Sequence, residues 1–166
     1  MKNKIFSLAM DGKTEAMAQE LRLNNADVNK NDDLGYSALA IAVARGHKEA
    51  VKVLLDYGAS ANTQDAKGNT PLHYVSENND LELARLLLNH GADLSLQNTS
   101  GNQPLWTATF SAADGDKSKL PLVKLLLERG ADREHLNSVG KKPLDIAQKI
   151  GVQDLIDICP DYITTW

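Results

Sequence analysis

The sequence is poor in cysteine and has no long apolar run. Its one cysteine, Cys159, excludes a disulfide within the chain and a cysteine-based metal site, and it fits a reducing compartment. The apolar run at residues 5–10 is too short for the core of a signal peptide, so we expect a helix there. No run approaches the roughly 20 apolar residues of a membrane span. These absences predict a soluble cytoplasmic protein that does not contact membranes.

The sequence also lacks a surplus of basic residues. The formal net charge is −4, and no segment has the basic footprint of a nucleic-acid-binding surface. Residues 65–97 are the most acidic part of the chain and would repel phosphate. The acidic residues there include Asp65, Glu77, Asp80, Glu82 and Asp93. Such acidity is usual for a solvated face; if it serves binding, it favours a basic partner protein and excludes nucleic acid.

Recognisable catalytic patterns are missing as well. The sequence contains neither a phosphate-binding loop nor a G-x-G-x-x-G pattern. None of its four histidines forms an H-x-x-x-H pair, and none lies near Cys159 in sequence. Asp114 and Asp116 flank a glycine, as in calcium loops, but the carboxylates that follow are too few for such a site. We therefore expect no enzyme activity, no catalytic residue, no cofactor and no metal.

What the sequence does contain is a repeat. Three sets of residues keep one spacing, which is 33, 33 and then 39 residues. The sets are Gly35, Gly68, Gly101 and Gly140; Leu39, Leu72, Leu105 and Leu144; and Gly58, Gly91 and Gly130, which follow the same spacing over three copies. Because the sets agree on where six extra residues enter, chance is a poor explanation and a repeat architecture follows.

Each repeat unit has the pattern of two short helices. The segment PLHYVSENN begins with a proline at the first helical position, and Thr70 before it suits an N-cap. The segment DLELARLLLNHG has leucines at helical spacing, and Gly91 suits the left-handed C-cap. A helix pair of this size cannot bury its apolar faces alone, whereas stacked copies can. The spacing therefore predicts an all-α solenoid.

These residues resemble the ankyrin repeat family. The matching segments include GYSALAIAVARGHKEAVKVLLDYGASANTQ at 35–64 and GNTPLHYVSENNDLELARLLLNHGADLSLQ at 68–97. The resemblance implies a single ankyrin-repeat domain over 1–166, with helix-turn-helix units stacked and joined by β-turn tips. We expect about five units: an N-terminal cap at 1–31, repeats at 32–64, 65–97 and 98–136, and a C-terminal cap at 137–166.

The resemblance also assigns a role to the recurring motif. In the family, the threonine and histidine of T-P-L-H tie the turn to the helix, and this tie is expected only in the middle copy, through Thr70 and His73. In the repeat at 98–136, Gln103 and Trp106 occupy the two positions. Neutral drift of the motif sequence is one explanation, since the loss of a helix cap lowers stability by only about 1 kcal/mol. Selection of Trp106 for contact with a partner is the other.

Ankyrin repeats bind proteins with their turn tips and first helices, on a concave face. The resemblance therefore implies that this chain, a monomer on its own, binds another protein through those positions. Candidate binding residues lie on the tips, late in the first helices and in the insertion at 112–119. They are Tyr36, Arg45, Lys67, Asn69, Glu77, Asn78, Asn102, Trp106, Phe110, Asp114, Asp116 and Lys117.

Some alternatives stay open at the level of sequence. The insertion AADGDKSK is either a harmless loop, since lengthening a loop costs little entropy, or part of the binding face. The tail CPDYITTW either folds over the last helices or docks elsewhere. The role favoured is an inhibitor that occludes its partner, foremost an immunity protein against a bacterial toxin. An assembly scaffold and a kinase-inhibitor-like protein are the alternatives.

Overall fold

A computed structural model describes residues 4–24, 27–150 and 153–158 of the chain. These residues form ten α-helices and two short 3-10 turns, at Ala112–Asp114 and Lys117–Lys119. The helices are α1 (Lys4–Met10), α2 (Thr14–Asn24), α3 (Ala38–Ala44), α4 (Lys48–Asp56), α5 (Pro71–Asn78), α6 (Leu81–Asn89), α7 (Pro104–Ser111), α8 (Leu120–Glu128), α9 (Pro143–Ile150) and α10 (Gln153–Ile158). No strand occurs among the described residues beyond one isolated antiparallel bridge, between Asn31 and Ser37. The prediction of an all-α solenoid is confirmed.

The helices form two layers. The first helix of each pair packs on the first helix of the next pair, in the order α1, α3, α5, α7 and α9. The second helices α2, α4, α6, α8 and α10 form a parallel row behind them. Each pair therefore contacts only its neighbours, as in a repeat solenoid.

Leucines at the repeated positions form the core between the two layers. Leu39, Leu72 and Leu105 of the first helices are fully buried, and Leu144 is nearly so. The second helices contribute three fully buried leucines, Leu54, Leu87 and Leu126. Burying one such side chain stabilises a fold by about 1.5–3 kcal/mol. The repeat spacing of the leucines is therefore the spacing of the core.

The first helices begin in different ways. Thr70 accepts a hydrogen bond from the His73 backbone N–H, and the His73 ring accepts one from the Thr70 N–H, so both halves of a capping box are present. Gln103 makes no side-chain cap. The tie was expected in the middle copy only, but the start of α3 has one half of it, since the Ser37 hydroxyl accepts from the Ala40 N–H at 3.1 Å. The last unit has the other half, since Asp145, which holds the position of His73 there, accepts from the Lys142 N–H at 2.9 Å through its carboxylate.

An aspartate or an asparagine shapes each turn tip. A side-chain oxygen of Asp32, Asp65, Asn98 and Asn137 accepts from the backbone N–H groups two and four residues ahead. Successive tips approach closely, since a Cβ on Gly68 would lie 2.9 Å from Asn98 Cα. The φ of +74° at Gly68 also disfavours a side chain, so glycine is required on two grounds. The tips thus form a rigid row.

The insertion joins α7 to α8 and is held by its own side chains. Asp114 pairs with Lys119, whose ammonium also donates to the Ser111 carbonyl at 3.0 Å. Asp116 caps the turn Lys117–Lys119 by accepting from the Ser118 N–H. Lys117 pairs with Asp154 of α10 at 2.9 Å. The loop is therefore held against α10.

The expected packing of the tail, including Cys159, Tyr162, Ile163 and Trp166, lies outside the described residues.

Candidate functional site

A groove of about 430 Å³ lies between α5 and α7 and extends to the turn tips that precede them. Six of the twelve residues proposed from sequence line it, namely Lys67, Asn69, Glu77, Asn102, Trp106 and Phe110. The remaining lining residues are His73, Tyr74, Asn98, Thr107 and Ser111. The groove therefore joins the middle repeat to the repeat with the insertion.

Amides fix the tip end of the groove. The Asn98 side chain donates to Asn69 Oδ1 at 3.0 Å, and the Asn137 side chain donates to Asn102 Oδ1 at 2.9 Å in the same way one repeat later. Backbone bonds run beside them, since the Thr99 N–H donates to the Lys67 carbonyl at 2.9 Å. Asn69 and Asn102 are thereby held at the groove rim with defined orientation.

His73 lies under the groove and connects the two repeats. Its Nε2 donates to the Asn102 carbonyl at 2.9 Å, because a carbonyl only accepts. The neutral ring therefore keeps Nδ1 as an acceptor for Thr70, whose hydroxyl lies 2.9 Å away. Burial lowers the pKa of His73, and the Asn102 carbonyl and the Asp65 carboxylate oppose that shift only in part. His73 is thus a neutral structural residue at neutral pH.

Tyr74 forms part of the groove wall next to His73. Its hydroxyl donates to Asp65 Oδ2. Burial is the main cause that raises the pKa of Tyr74 far above its ordinary range, and this hydrogen bond is the second cause. The Tyr36 ring lies 6.4 Å from the Tyr74 ring, centroid to centroid, at 54°. Tyr36 is half-buried and supports the wall from the preceding tip rather than standing free in solvent.

Two aromatic rings form the opposite wall. Trp106 and Phe110 are one helical turn apart on α7 and stack with centroids 5.4 Å apart and planes at 14°. Phe110 is 59% exposed. Trp106 Nε1 is buried, and within the described chain it has no hydrogen-bond partner. Such a group costs about 1–3 kcal/mol. Fold stability alone therefore does not explain the indole at this position.

Opposite charges stand at the two ends of the groove. Lys67 lies on the tip that precedes α5, and Glu77 lies in the last turn of α5. The helix separates them by about 10 Å or more, at 1.5 Å per residue. Both are exposed, and within the described residues neither side chain forms an ion pair. The groove is therefore apolar along one wall and of opposite charge at its ends.

The other residues proposed from sequence lie apart from the groove. Arg45 is exposed at the end of α3, and the Asn78 side chain donates to the Ala44 carbonyl beside it at 3.4 Å. Asp114, Asp116 and Lys117 bond within the insertion or to α10, as described above. Interactions with Lys119 and Ser118, respectively, lower the pKa of Asp114 and of Asp116.

The acidity of the middle repeat has mostly structural causes. Asp65 shapes its turn tip, and Asp80 caps α6 by accepting from the Glu82 and Leu83 N–H groups. Lys48 of α4 pairs with both Asp80 and Glu82, which raises the pKa of Lys48, chiefly through the bond to Glu82. Glu77 is thus the one member of the acidic set identified from sequence that lines the groove.

Sequence reasoning missed part of the groove. Tyr74 and Thr107 follow the motif position of His73 and Trp106 by one residue, in equivalent places of successive repeats. Asn98 lies 33 residues after Asp65 and 39 before Asn137. This repeat spacing could have identified Asn98 as the residue that shapes its turn tip. Ser111 lies 33 residues after Asn78, late in its first helix, and the family positions had indicated it; its hydrogen bond to the Glu77 carbonyl had no signal in the sequence.

Among the described residues, no cluster of three His, Cys, Asp or Glu side chains is placed to hold a metal ion. None of the described helices is both long enough and apolar enough to cross a membrane.

Comparison with known proteins places the fold in a family. A family model for ankyrin repeats, in three copies, matches residues 5–98. A curated protein from Drosophila melanogaster, "G patch domain and ankyrin repeat-containing protein 1 homolog", is 36% identical over 64 residues. That match covers 39% of this chain and 19% of the relative, so the chain spans only a small part of the relative's length. The chain belongs to the ankyrin repeat family, whose repeats form protein–protein interaction modules.

Proposed function

We propose that this chain is a non-enzymatic binding protein that holds its partner in the groove between α5 and α7. The observation that supports the proposal is the stacked pair of Trp106 and Phe110, which presents an aromatic wall to solvent. Aromatic residues are enriched among binding hot spots, and an exposed phenylalanine gains most when a partner buries it. The polar rim of Asn69 and Asn102 supplies oriented hydrogen-bonding groups around that wall.

The mechanism we favour is occlusion of the partner's working surface. The tip row and the first helices are held by hydrogen bonds between repeats, so binding requires little ordering of this face. A rigid face of this kind covers a partner without changing its own shape. We therefore favour an inhibitor, foremost an immunity protein that neutralises a bacterial toxin, acting in the cytoplasm as a monomer.

An assembly scaffold is the second candidate, and a kinase-inhibitor-like role is a third. The insertion favours a scaffold, because its ordered turns, tied to α10 through Lys117, provide a second exposed surface beyond the groove. A scaffold joins two proteins and leaves their activities intact, whereas an inhibitor abolishes one. The relative that combines G patch and ankyrin repeats shows that such repeats also occur within larger proteins.

The test compares groove variants with variants of the second helices. The chain is used as bait in extract from its source, and the purified partner is then titrated by calorimetry. We expect Phe110→Ala to weaken binding by at least about 2 kcal/mol. Charge reversal at Glu49, Lys52 or Arg85 is the control, since these residues are exposed on α4 and α6. Their reversal leaves the affinity unchanged within the usual effect of surface changes, about 0.5 kcal/mol.

One outcome would refute the groove as the binding site, and a separate assay decides between the candidate functions. Loss of binding on reversal at Glu49, Lys52 or Arg85, with Phe110→Ala silent, would place the partner on the second helices and refute the groove. An assay of the purified partner then separates the roles. Stoichiometric loss of the partner's activity supports an inhibitor, whereas an unchanged activity and a ternary complex through the insertion support a scaffold.

A further inference from the structure

The last turns of α5 and α7 form the acidic end of the groove. Glu77 and Phe110 are 33 residues apart and hold the same position in successive repeats. Both are exposed and line the groove. Ser111 donates through its hydroxyl to the Glu77 carbonyl at 3.1 Å, which ties the two helix ends together. A carboxylate and an aromatic face therefore stand side by side on a fixed frame.

The electrostatics at this end favour a cation. The Glu77 carboxylate forms no ion pair within the part of the chain that the structure describes. The C-terminal ends of α5 and α7 add partial negative charge at the same place. Lys119, whose ammonium donates to the Ser111 carbonyl at this end, is already paired with Asp114, and Lys67 stands at the other end of the groove. A positively charged group of a partner would therefore meet a carboxylate that no lysine or arginine neutralises.

The shape of the aromatic wall selects among cations. Trp106 and Phe110 stack with their planes at 14°, and the Phe110 ring, which is 59% exposed, presents a flat aromatic group to solvent. A planar guanidinium stacks on such a surface and keeps its N–H groups directed outward at the edge. A lysine ammonium is a compact, strongly hydrated charge and gains less from stacking. Arginine thus fits both the wall and the carboxylate.

We infer that the acidic end of the groove binds an arginine side chain of the partner, stacked on Phe110 and paired with Glu77. The inference rests on the proposed function and names the chemistry that the groove recognises. Lys67 at the tip end then faces the flanking part of the same partner segment. The opposite charges at the two ends fix the direction in which that segment lies.

The test is a titration of the full chain with short peptides, followed by two-dimensional NMR of the backbone amides at low salt. The probes are acetyl-Gly-Arg-Gly-amide and the same peptide with citrulline, which has the shape of arginine without its charge. We expect saturable shifts at Glu77, Phe110 and Ser111 with the arginine peptide, at roughly millimolar affinity. The citrulline peptide binds about tenfold more weakly, because charge-assisted hydrogen bonds are roughly twice as strong as neutral ones.

Matched variants assign the effect to the two residues. Glu77→Gln weakens the arginine peptide about tenfold. Glu49→Gln removes the same charge from α4, outside the groove, and leaves the affinity within about twofold. Phe110→Leu weakens binding about threefold through loss of the cation–π contact. Both groove residues are exposed, so each variant keeps the helical circular dichroism of the unaltered chain.

Several results would overturn the inference. These are equal binding of the citrulline peptide, no effect of Glu77→Gln, shifts centred outside the groove, or no saturable shift up to about 20 mM peptide. A lysine peptide that binds as tightly as the arginine peptide would refute the choice of guanidinium. If the partner still depends on Phe110 while the arginine peptide is silent, the proposed function stands and this inference alone fails.

Discussion

The repeat at 65–97 and the repeat at 98–136 use the same position for opposite purposes. In the first, His73 is buried and bonds to Thr70 and to the next tip through the Asn102 carbonyl. In the second, Trp106 leaves its Nε1 without a partner in the described chain and stacks with Phe110 along the groove. One repeat thus uses the position for cohesion between repeats, and the other uses it to form a surface. The departure from the motif at Trp106 therefore replaces a contact between repeats with a ring that lines the groove.

The same contrast extends to the helix starts and the loops. Thr70 caps α5, whereas Gln103 gives α7 no side-chain cap and leaves its Oε1 buried and unpaired among the described residues. The link from α5 to α6 is Asn79 and Asp80, whereas the link from α7 to α8 contains two 3-10 turns. Asn79 adopts the left-handed conformation at φ +56° and donates to the Ser118 carbonyl at 3.4 Å. The repeat at 98–136 therefore lacks the helix cap of its neighbour, but its insertion accepts a hydrogen bond from Asn79 of that neighbour.

The largest expected effect tests whether the two repeats share one core. Leu72 and Leu105 are fully buried at equivalent positions, so Leu72→Ala and Leu105→Ala should each lower the free energy of unfolding by about 2–5 kcal/mol. Phe110→Ala, at a site that is 59% exposed, should cost less than about 1 kcal/mol. Urea denaturation followed by circular dichroism measures all three. A loss for Phe110→Ala equal to that for Leu105→Ala would assign the ring to the core instead of the exposed wall of the groove.

A smaller effect tests the difference between the helix starts. Gln103→Thr should supply the missing cap and remove the unpaired Oε1, raising the free energy of unfolding by about 0.5–1 kcal/mol. Thr70→Ala should lower it by about 1 kcal/mol, because α5 then loses its cap. Thermal and urea melts of both variants give the comparison. Destabilisation by Gln103→Thr would mean that the bond from the Gln103 amide to the Ser95 carbonyl, at 3.2 Å, outweighs a cap.

The smallest effect concerns pH and distinguishes His73 from Trp106. Burial lowers the pKa of His73 from its ordinary value of 6.5, so below about pH 6.5 the unfolded chain binds more protons at this residue than the folded chain. The stability that depends on neutral His73 is therefore fully present above that pH and is lost progressively as the pH falls. The equivalent position of the next repeat, Trp106, does not titrate.

The measurement is urea denaturation at several values between about pH 7 and about pH 5, for the unaltered chain and for His73→Ala. We expect the unaltered chain to lose more stability across this range than the variant loses. The variant is less stable at every pH, since it leaves the Asn102 carbonyl without its donor, but its dependence on pH is weaker. Parallel pH profiles for the two chains would show that His73 titrates alike in both states.

Much of the fold could be predicted from the sequence, because helix starts and buried faces depend on residues that are near one another in the chain. The spacing of Leu39, Leu72 and Leu105 predicted the buried faces, and Thr70 before a proline predicted the start of α5. About half of the groove lining followed from family positions. The contacts that build the lining did not, since Tyr74, Asn98 and Ser111 bond to partners in other repeats or on other elements. Asp145 escaped prediction for another reason, because its chemistry differs from that of the histidine it replaces.

The sequence by itself determined a stack of helix pairs, because a 33-residue spacing of leucines, glycines and caps leaves the apolar faces no other place to be buried. Only the tertiary structure decided which polar and aromatic residues meet. Packing of α5 against α7 brings Glu77 beside Phe110 and places Lys67 at the far end of the same groove. The physical reason is that helix propensity and burial depend on near neighbours in the chain, whereas a binding surface depends on distances between side chains that the stacking of repeats alone sets.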